Sequence, residues 1–374
     1  MISILPEDLH DDIPTGFNVA GHVGKQIFEP LPFCLRTQLT RKSKAHLNLR
    51  DRYLPYKKVI AQVLVDKNPQ IKTVINKVDN VGDESEFRTF QYEVLAGEGN
   101  MDVSVSENGC TFEFNYAKVY WNSKLEYEHG RLVDMFNPGE VVCDVMAGIG
   151  PFAVPAGKKG VLVWANDMNP ESYHYLKKAI DKNKVSPFHV SPMFRCKVLT
   201  RPQVSQFVRP FCEDGRVFVH KAADSVLSAS QNGEFAVVPA PRPKSKSLPP
   251  VEPKRVPIPP TISHFVMNLP ATAIEFLGHY RGIYAGHEDL FTPNTMTKLP
   301  MVHVHCFSFK ADDETPLIDI CQRITKYIGF EMKHGDPENE GEVSIHDVRN
   351  VSPSKRMFCA SFRIPREVAF AARS

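Results

Sequence analysis

Apolar runs of strand length recur along residues 140–366 of this 374-residue chain, separated by stretches with helical spacing. Residues 141–143 and 161–165 are uninterrupted apolar runs, which is typical of strands buried on both faces of a parallel sheet. Further strand-length segments follow at 262–267 and 301–309, and helices are predicted at 172–183, packed through Tyr175, Leu176 and Ile180, and at 271–280. Because strands alternate with helices, the pattern predicts an α/β fold built on a doubly wound sheet.

A different arrangement precedes this region. Residues 56–64 have the spacing of a helix with one apolar face, residues 73–78 form a strand-length run, and residues 109–119 alternate between apolar and polar positions. These elements predict a smaller α/β domain ahead of the larger one. The predicted division is a poorly patterned segment at 1–44, the small domain at 45–120 and the larger domain at 121–374, with loop insertions at about 186–205 and 237–260.

The link between the first two apolar runs carries the candidate chemistry. Asp144 ends the first strand, and Gly148 and Gly150 permit a sharp turn and the close approach of a ligand. The helix that follows directs its first N–H groups at that ligand. Asp167 ends the second strand, where a carboxylate can accept hydrogen bonds from both hydroxyls of a ribose. Read as G-x-G-x-x-A followed by an acid, the stretch also fits a dinucleotide.

The position of Asp144 favours S-adenosylmethionine over a dinucleotide. A carboxylate at this strand end attracts the ammonium group of methionine and repels a pyrophosphate. The run from Asp144 to Gly150 has the form Asp-x-x-Ala-Gly-x-Gly and resembles the same loop of class I methyltransferases. We therefore expect a methyl-donor site, with a nicotinamide dehydrogenase as the less favoured alternative.

Composition narrows the class of protein. Hydrophobic residues make up 42% of the chain and charged residues 24%, as in ordinary globular proteins. The net charge is only +2, so any affinity for nucleic acid must come from local patches. Eight scattered cysteines without a C-x-x-C pair argue against a disulfide framework or a zinc knuckle. No apolar run reaches the length of a membrane span, and the acidic start is unlike a signal or transit peptide, so we expect a soluble intracellular protein.

Two histidines, His303 and His305, alternate on one face of the strand predicted at 301–309. No carboxylate or cysteine stands in a ligand pattern with them. We therefore expect no metal site.

Eight segments resemble one enzyme family. In chain order they are HLNLRDRYLPYKK, EFRTFQYEVLAG, CTFEFNYAKVYWNSKLEYEHGRLV, DVMAGIGPFAVPA, NDMNP, DGRVFV, MNLPATAIEFL and HDVRNVSPSKRMFCASFRIP. Over most of residues 45–366 they are similar to the eukaryotic and archaeal tRNA (guanine-N1)-methyltransferases, which act on guanosine 37, just 3′ of the anticodon. The resemblance implies a class I methyltransferase sheet, mostly parallel with an antiparallel last strand, preceded by a smaller α/β RNA-binding domain.

The same resemblance implies catalytic roles that the chemistry requires. Guanine N1 carries a proton at neutral pH, so a base must remove it, and the charge that then develops on O6 needs a fixed cation. By resemblance, Glu128 is the general base and Arg88 the partner of O6. Asn268 of the N-L-P motif orients the base edge and borders the methyl donor.

The implied cofactor is S-adenosylmethionine. The resemblance places His129 near it, Asp167 and Met168 at its ribose, and Asp214 and Gly215 at its adenine. The implied partner is a tRNA with guanosine at position 37, bound by a monomer without membrane contact. The expected location is the cytoplasm, with the nucleus and the mitochondrial matrix as further expected locations.

Two alternatives share this fold, and two segments interrupt the resemblance. The alternatives are the aminocarboxypropyl transferase of wybutosine synthesis and a non-catalytic tRNA-binding protein. The segments at 24–44 and about 186–205 lack a period and open with residues that a splice-donor sequence can encode. Our hypothesis is that both are retained introns, and messenger RNA containing both segments would refute it.

Overall fold

The computed structural model describes residues 6–7, 18–20, 43–47, 51–69, 71–77, 87, 91–183, 188–189, 207–238 and 254–373. The chain divides into two compact units, Met1–Glu126 and Tyr127–Ser374. Arg88 and most of the segments 24–44 and 186–205 lie outside the described residues, so the predictions that concern them stay predictions.

The described part of the first unit combines a four-stranded sheet, a two-stranded hairpin and one α-helix. Its elements are β1 (Asn18–Ala20), β2 (Ser43–Leu47), α1 (Lys57–Lys67), β3 (Ile71–Lys77), β4 (Tyr92–Gly97), β5 (Asp102–Glu107) and β6 (Cys110–Asn115), with 3₁₀ turns at Asp51–Tyr56 and Ser123–Leu125. The sheet order is β1-β2-β3-β4, and β5 pairs with β6. Helix α1 and strands β3 and β6 confirm three predicted elements.

Helix α1 packs on this sheet through its apolar side. Ile60 and Leu64 of the helix belong to one buried cluster with Val74 of β3 and Leu95 of β4. All residues of this cluster belong to the first unit. The helical spacing in the sequence therefore predicted the side of α1 that packs on the sheet.

The second unit is a larger α/β domain. Its elements are α2 (Glu126–Met135, which begins at the last residue of the first unit), β7 (Val141–Asp144), α3 (Ala153–Lys159), β8 (Leu162–Asn166), α4 (Pro170–Lys182), β9 (Phe188–His189), β10 (Val208–Phe211), α5 (Gly215–Gln231), β11 (Phe235–Val238), β12 (Lys254–Pro257), β13 (His264–Met267), β14 (Met301–Phe309), α6 (Thr315–Ile328), β15 (Lys333–His334), β16 (Glu342–Ser352), β17 (Lys355–Arg363) and α7 (Arg366–Ala369), with 3₁₀ turns at Ala273–Tyr280 and Glu288–Leu290.

Eight strands of this unit form the sheet that carries the site. Their order is β10-β8-β7-β13-β14-β17-β16-β15. Strands β10, β8, β7, β13 and β14 are parallel to one another, and β15 is parallel to β16, whereas β17 runs antiparallel to both β14 and β16. This topology confirms the predicted class, a mostly parallel sheet in which the last strand along the chain is antiparallel.

The sheet buries the apolar runs that predicted it. Every residue of β7 and β8 is buried. Leu176 and Ile180 of α4 are buried as predicted, whereas Tyr175 is half-buried. Because both faces of these strands are covered, the continuous apolar runs are the expected pattern, and the polar residues at the strand ends are exceptions that need another explanation.

Two local differences from the predictions have physical causes. The helix predicted at 271–280 is a 3₁₀ helix, in which Ile274, Leu277 and Tyr280 are buried at a spacing of three residues. The loop predicted at 237–260 is flanked by a hairpin in which β11 pairs with β12, and its centre, residues 239–253, lies outside the described residues. Within the described residues, no helix is long and apolar enough to cross a membrane.

Candidate active site

The turn after β7 has the backbone that the two glycines predicted. Gly148 and Gly150 have positive φ angles of 56° and 92°. A Cβ on Gly148 would meet nothing within 4 Å, whereas a Cβ on Gly150 would lie 2.6 Å from Cδ1 of Leu176 and 2.9 Å from Cγ2 of Val154. Gly150 therefore allows the turn to pack against α4, and Gly148 leaves open space above the turn.

Asp144 lies at the end of β7 and is fully buried. Neither of its carboxylate oxygens has a side-chain hydrogen-bond partner among the described residues. Burial, and after it the charge of Asp167, raises the pKa of Asp144 to about 8, although the backbone N–H of Met146 and the charge of His305 oppose the shift. A buried acid without a counter-charge beside it is costly to ionise, and a cation placed there would remove that cost.

Asp167 joins the end of β8 to the glycine turn. Its Oδ2 accepts a hydrogen bond of 2.8 Å from the N–H of Gly148, and its Oδ1 accepts one of 2.9 Å from the N–H of Asn169. Burial raises its pKa above the ordinary value, although these hydrogen bonds oppose the shift. Met168, the next residue, is 41% exposed. The predicted ribose-binding pair therefore stands beside the glycine turn.

The start of α5 packs against the same turn. Asp214 is the N-cap of α5, and its Oδ1 accepts a hydrogen bond of 2.8 Å from the N–H of Arg216. Gly215 is buried, and a Cβ there would lie 3.0 Å from Cγ1 of Val145. Since β10, β8 and β7 are parallel neighbours, their carboxyl ends share one edge, and Asp214, Asp167 and Asp144 follow three adjacent strands.

Asn268 follows β13, the strand on the other side of β7. Its Oδ1 is buried and has no hydrogen-bond partner among the described residues. The turn that holds it is fixed to the sheet, because the carbonyl of Pro270 accepts a hydrogen bond of 3.0 Å from the N–H of Phe307. Val266 of β13 pairs with Asp144 in register, so Asn268 lies just beyond the level of Asp144.

Glu128 on α2 is 2% exposed and is surrounded by donors. Nε and Nη2 of Arg131 donate to Oε2 and Oε1 at 2.6 and 2.8 Å, and Nε2 of His305 lies 2.8 Å from Oε1. Nε2 of His346 lies 3.8 Å from Oε2. Burial alone would raise the pKa of Glu128, but the hydrogen bonds from Arg131 and His305 lower it to about 2.

The ring of Phe152, at the glycine turn just before α3, contacts two histidines that lie next to Glu128. Its centroid is 4.7 Å from that of His129, in an edge-on arrangement, and 6.0 Å from that of His305. The positive charge of His305 also contributes to lowering the pKa of Asp144. The group around Glu128 on α2 and the acidic strand end at Asp144 are therefore close enough to interact electrostatically, and both belong to the second unit.

The structure thus brings together most residues predicted for the site. Those within the second unit are Glu128, His129, Asp144, Gly148, Gly150, Asp167, Met168, Asp214, Gly215 and Asn268. Arg88 lies outside the described residues, so its prediction is untested. Sequence reasoning missed Arg131 and His305 as partners of Glu128. The alternation of His303 and His305 in the sequence indicated that both side chains lie on one face of a strand, but it does not reveal which residues they contact.

Glu128, His305 and Cys359 place ligand-capable atoms within 4.8 Å of one another, and all three residues are buried. The Arg131 guanidinium, however, already bonds both oxygens of Glu128, and its positive charge opposes a second cation at that position. We therefore interpret this group as a hydrogen-bonded cluster around an ionised carboxylate.

Comparison with known proteins gives a consistent result along the chain. Residues 44–100 match the family described as TYW2 N-terminal domain, and residues 103–229 match the TRM5/TYW2 methyltransferase domain. A curated tRNA (guanine(37)-N(1))-methyltransferase of Neurospora crassa is 67% identical over 372 residues, covering 99% of this chain and 70% of that protein.

Solved structures show the same fold at lower identity. Trm5b from Pyrococcus abyssi has a TM-score of 0.58 at 23% identity, covering 96% of this chain and 78% of that chain. Methanocaldococcus jannaschii Trm5 in complex with adenosine has a TM-score of 0.55 at 18% identity, covering 98% and 77% of the two chains. At these identities the likeness concerns the fold.

Proposed function

The chain belongs to the family of the tRNA (guanine(37)-N(1))-methyltransferases, and on that premise we propose that it transfers a methyl group from S-adenosylmethionine to N1 of guanosine 37 in tRNA. The observation that carries this function is the 67% identity to the Neurospora crassa enzyme over 99% of the chain. On the same basis, the chain is a tRNA methyltransferase.

The residues at the strand ends fit S-adenosylmethionine. The buried Asp144, whose oxygens have no side-chain partner within the described part of the chain, matches the ammonium of the methionine moiety, and the open space at Gly148 leaves room beside it. We propose that Asp167 and Met168 contact the ribose, and that Asp214 and Gly215 border the adenine. The adenosine complex of the Methanocaldococcus jannaschii protein supports such a pocket in this fold. When bound, the cofactor supplies the electrophilic methyl group.

Glu128 is proposed as the group that takes the proton from guanine N1. It is ionised at neutral pH, which is the form that accepts a proton, and its hydrogen bonds hold it in one orientation. His129, on the same helix, packs against Phe152 at the glycine turn. Helix α2 therefore connects the proposed base to the proposed cofactor pocket.

Two further roles complete the proposal for the purine. We propose that Asn268, whose buried Oδ1 has no partner among the residues that the structure describes, accepts a hydrogen bond from the base edge. Arg88 is proposed as the cation that stabilises the charge developing on O6. A guanine in an anticodon loop is stacked, so binding requires that it turns outward into the site.

The test is methyl transfer to defined RNA. Purified protein is incubated with labelled S-adenosylmethionine and a tRNA carrying guanosine at position 37, beside the same tRNA carrying adenosine there. We expect label only in the first, with one methyl group at N1 by mass analysis of the nucleosides. An aminocarboxypropyl group would instead establish the wybutosine-type alternative, and tRNA binding without cofactor binding would establish the non-catalytic one. The monomeric state and the cellular locations stay predictions.

A further inference from the structure

The two histidines of β14 have different surroundings. Both are fully buried and face the same side of the sheet, where His303 stands opposite Ser361 and His305 opposite Cys359. Both ring nitrogens of His303 are bonded, Nδ1 to Oγ of Ser361 at 2.8 Å and Nε2 to Nδ1 of His264 at 3.1 Å. His303 is therefore satisfied within the sheet.

His305 directs its ring at Glu128 instead. Its Nε2 lies 2.8 Å from Oε1 of that carboxylate, and the ring also interacts with the side chain of Cys359. A fully buried imidazole with a carboxylate and a thiol as its partners is not explained by packing alone, because an apolar side chain would fill the space without the cost of burying a polar group.

We propose that His305 is a positioning residue for Glu128, whose imidazole holds the carboxylate in place and, by gaining or losing a proton, sets how readily that carboxylate accepts the proton of guanine N1. The inference rests on the function proposed above and assigns a controlling partner to its base. In the step concerned, the N1–H bond breaks and an O–H bond forms on Glu128.

The charges around His305 explain why its proton matters. Among the described residues, the titratable and charged groups that interact with it are Glu128 and Arg131 from α2, Asp144 from β7, His303 from β14 itself, His346 from β16 and Cys359 from β17. If Glu128 took a proton while His305 was charged, imidazolium and guanidinium would be left close together without the carboxylate between them. With neutral His305, only Arg131 remains charged, so the carboxylate is the stronger base.

The resting state of the pair follows from the same contacts. Burial lowers the pKa of His305, but Cys359 and Glu128 together raise it to about 10. The charged imidazole thus predominates at neutral pH, and the more reactive form becomes more abundant as pH rises. The rate of methyl transfer should therefore increase with pH between pH 6 and pH 8.

The experiment uses the full chain, saturating S-adenosylmethionine and a tRNA carrying guanosine at position 37, with single-turnover rates from pH 6 to pH 8. For one controlling proton, we expect the wild-type rate to rise about a hundredfold over this range. In His305→Gln the amide still donates to Glu128 but does not titrate, so the rise should fall to less than about threefold. The matched control, His303→Gln, removes an equally buried histidine of the same strand face and should keep the wild-type slope.

A wild-type slope in an active His305→Gln protein would overturn the role of His305, as would an equal flattening in His303→Gln. Absence of methyl transfer by the wild type at every pH would instead overturn the proposed function. A second readout covers the case in which His305→Gln does not fold: the imidazole ¹⁵N titration of His305 in the wild type and in Glu128→Gln. We expect the titration to move to lower pH in Glu128→Gln, and an unmoved titration contradicts the proposal.

Discussion

Two buried carboxylates of the second unit, at the end of β7 and on α2, have opposite surroundings. Asp144 has no side-chain hydrogen-bond partner for either oxygen among the described residues, and its pKa is raised to about 8. Glu128 is bonded by Arg131 and His305, and its pKa is lowered to about 2. Burial is common to both, so the difference lies in the partners that the fold supplies.

This contrast separates a binding group from a reacting group. An acid without a counter-charge is stabilised when a cationic ligand arrives, which suits the ammonium of a methyl donor. An acid that already has counter-charges does not gain in this way, but it is held as a carboxylate in one orientation, as a proton acceptor must be. Substitution of Asp144 should therefore affect cofactor binding, whereas substitution of Glu128 should affect the reaction and the stability.

The largest expected effect concerns the reaction. Glu128→Gln removes the proton acceptor but keeps the size of the side chain, so the single-turnover rate of methyl transfer should fall by about a hundredfold or more. The affinity for S-adenosylmethionine, measured by calorimetry, should stay close to that of the wild type. A wild-type rate in this variant would remove Glu128 from the mechanism.

The next effect concerns stability without ligand. Glu128→Gln leaves the guanidinium of Arg131 and the imidazole of His305 without their counter-charge, so the free energy of unfolding should decrease by about 2 kcal/mol. Asp144→Asn replaces an acid that is mostly neutral at pH 7 with an amide of the same size, so it should lower the free energy of unfolding less, by about 1 kcal/mol. Urea unfolding at pH 7 measures both, and the reverse ranking would contradict the comparison.

The sign of the pH dependence follows from the lowered pKa of Glu128. Its folded value of about 2 lies below that of the unfolded chain. Its stabilising contribution is therefore present above the unfolded pKa, about 4.3, and is lost as pH falls toward 2. In urea unfolding below pH 4.5, the difference between wild type and Glu128→Gln should shrink, and a constant difference would show that the lost contribution is not electrostatic.

A smaller effect is expected on cofactor affinity. Asp144→Asn removes the charge that is proposed to hold the ammonium group, so the Kd for S-adenosylmethionine should rise about tenfold, or about 1.4 kcal/mol. Asp181→Asn, at an exposed carboxylate of α4, is the matched control and should leave the Kd unchanged. If both variants bind like the wild type, Asp144 is not the ammonium partner.

The smallest expected effect is the release of a proton when S-adenosylmethionine binds. With a pKa of about 8, Asp144 is mostly protonated at pH 7, and an ammonium beside it lowers that pKa. Binding of S-adenosylmethionine at pH 7 should therefore release up to about one proton, seen as a dependence of the calorimetric enthalpy on the ionisation enthalpy of the buffer. Release that persists unchanged in Asp144→Asn would assign the proton to another group.

Much of the cofactor region was predictable because its signals are close together in the chain. Asp144, Gly148, Gly150 and Asp167 occupy a single strand-turn-helix-strand unit, where apolar run length, glycine positions and strand ends are all local features. The strand order then brings Asp214 and Asn268 to the same sheet edge, as expected for consecutive parallel strands.

The sequence by itself determined which segments form strands and helices, since burial of apolar runs and the spacing of apolar side chains are local properties. Arg131 is a local partner of Glu128, three residues along α2, whereas the tertiary structure alone decided that His305 is the other, because His305 is 177 residues away along the chain. It also decided the opposite pKa shifts of Asp144 and Glu128. The free energy of ionising a buried group depends on the charges and donors within a few ångströms, and a linear pattern does not specify those distances.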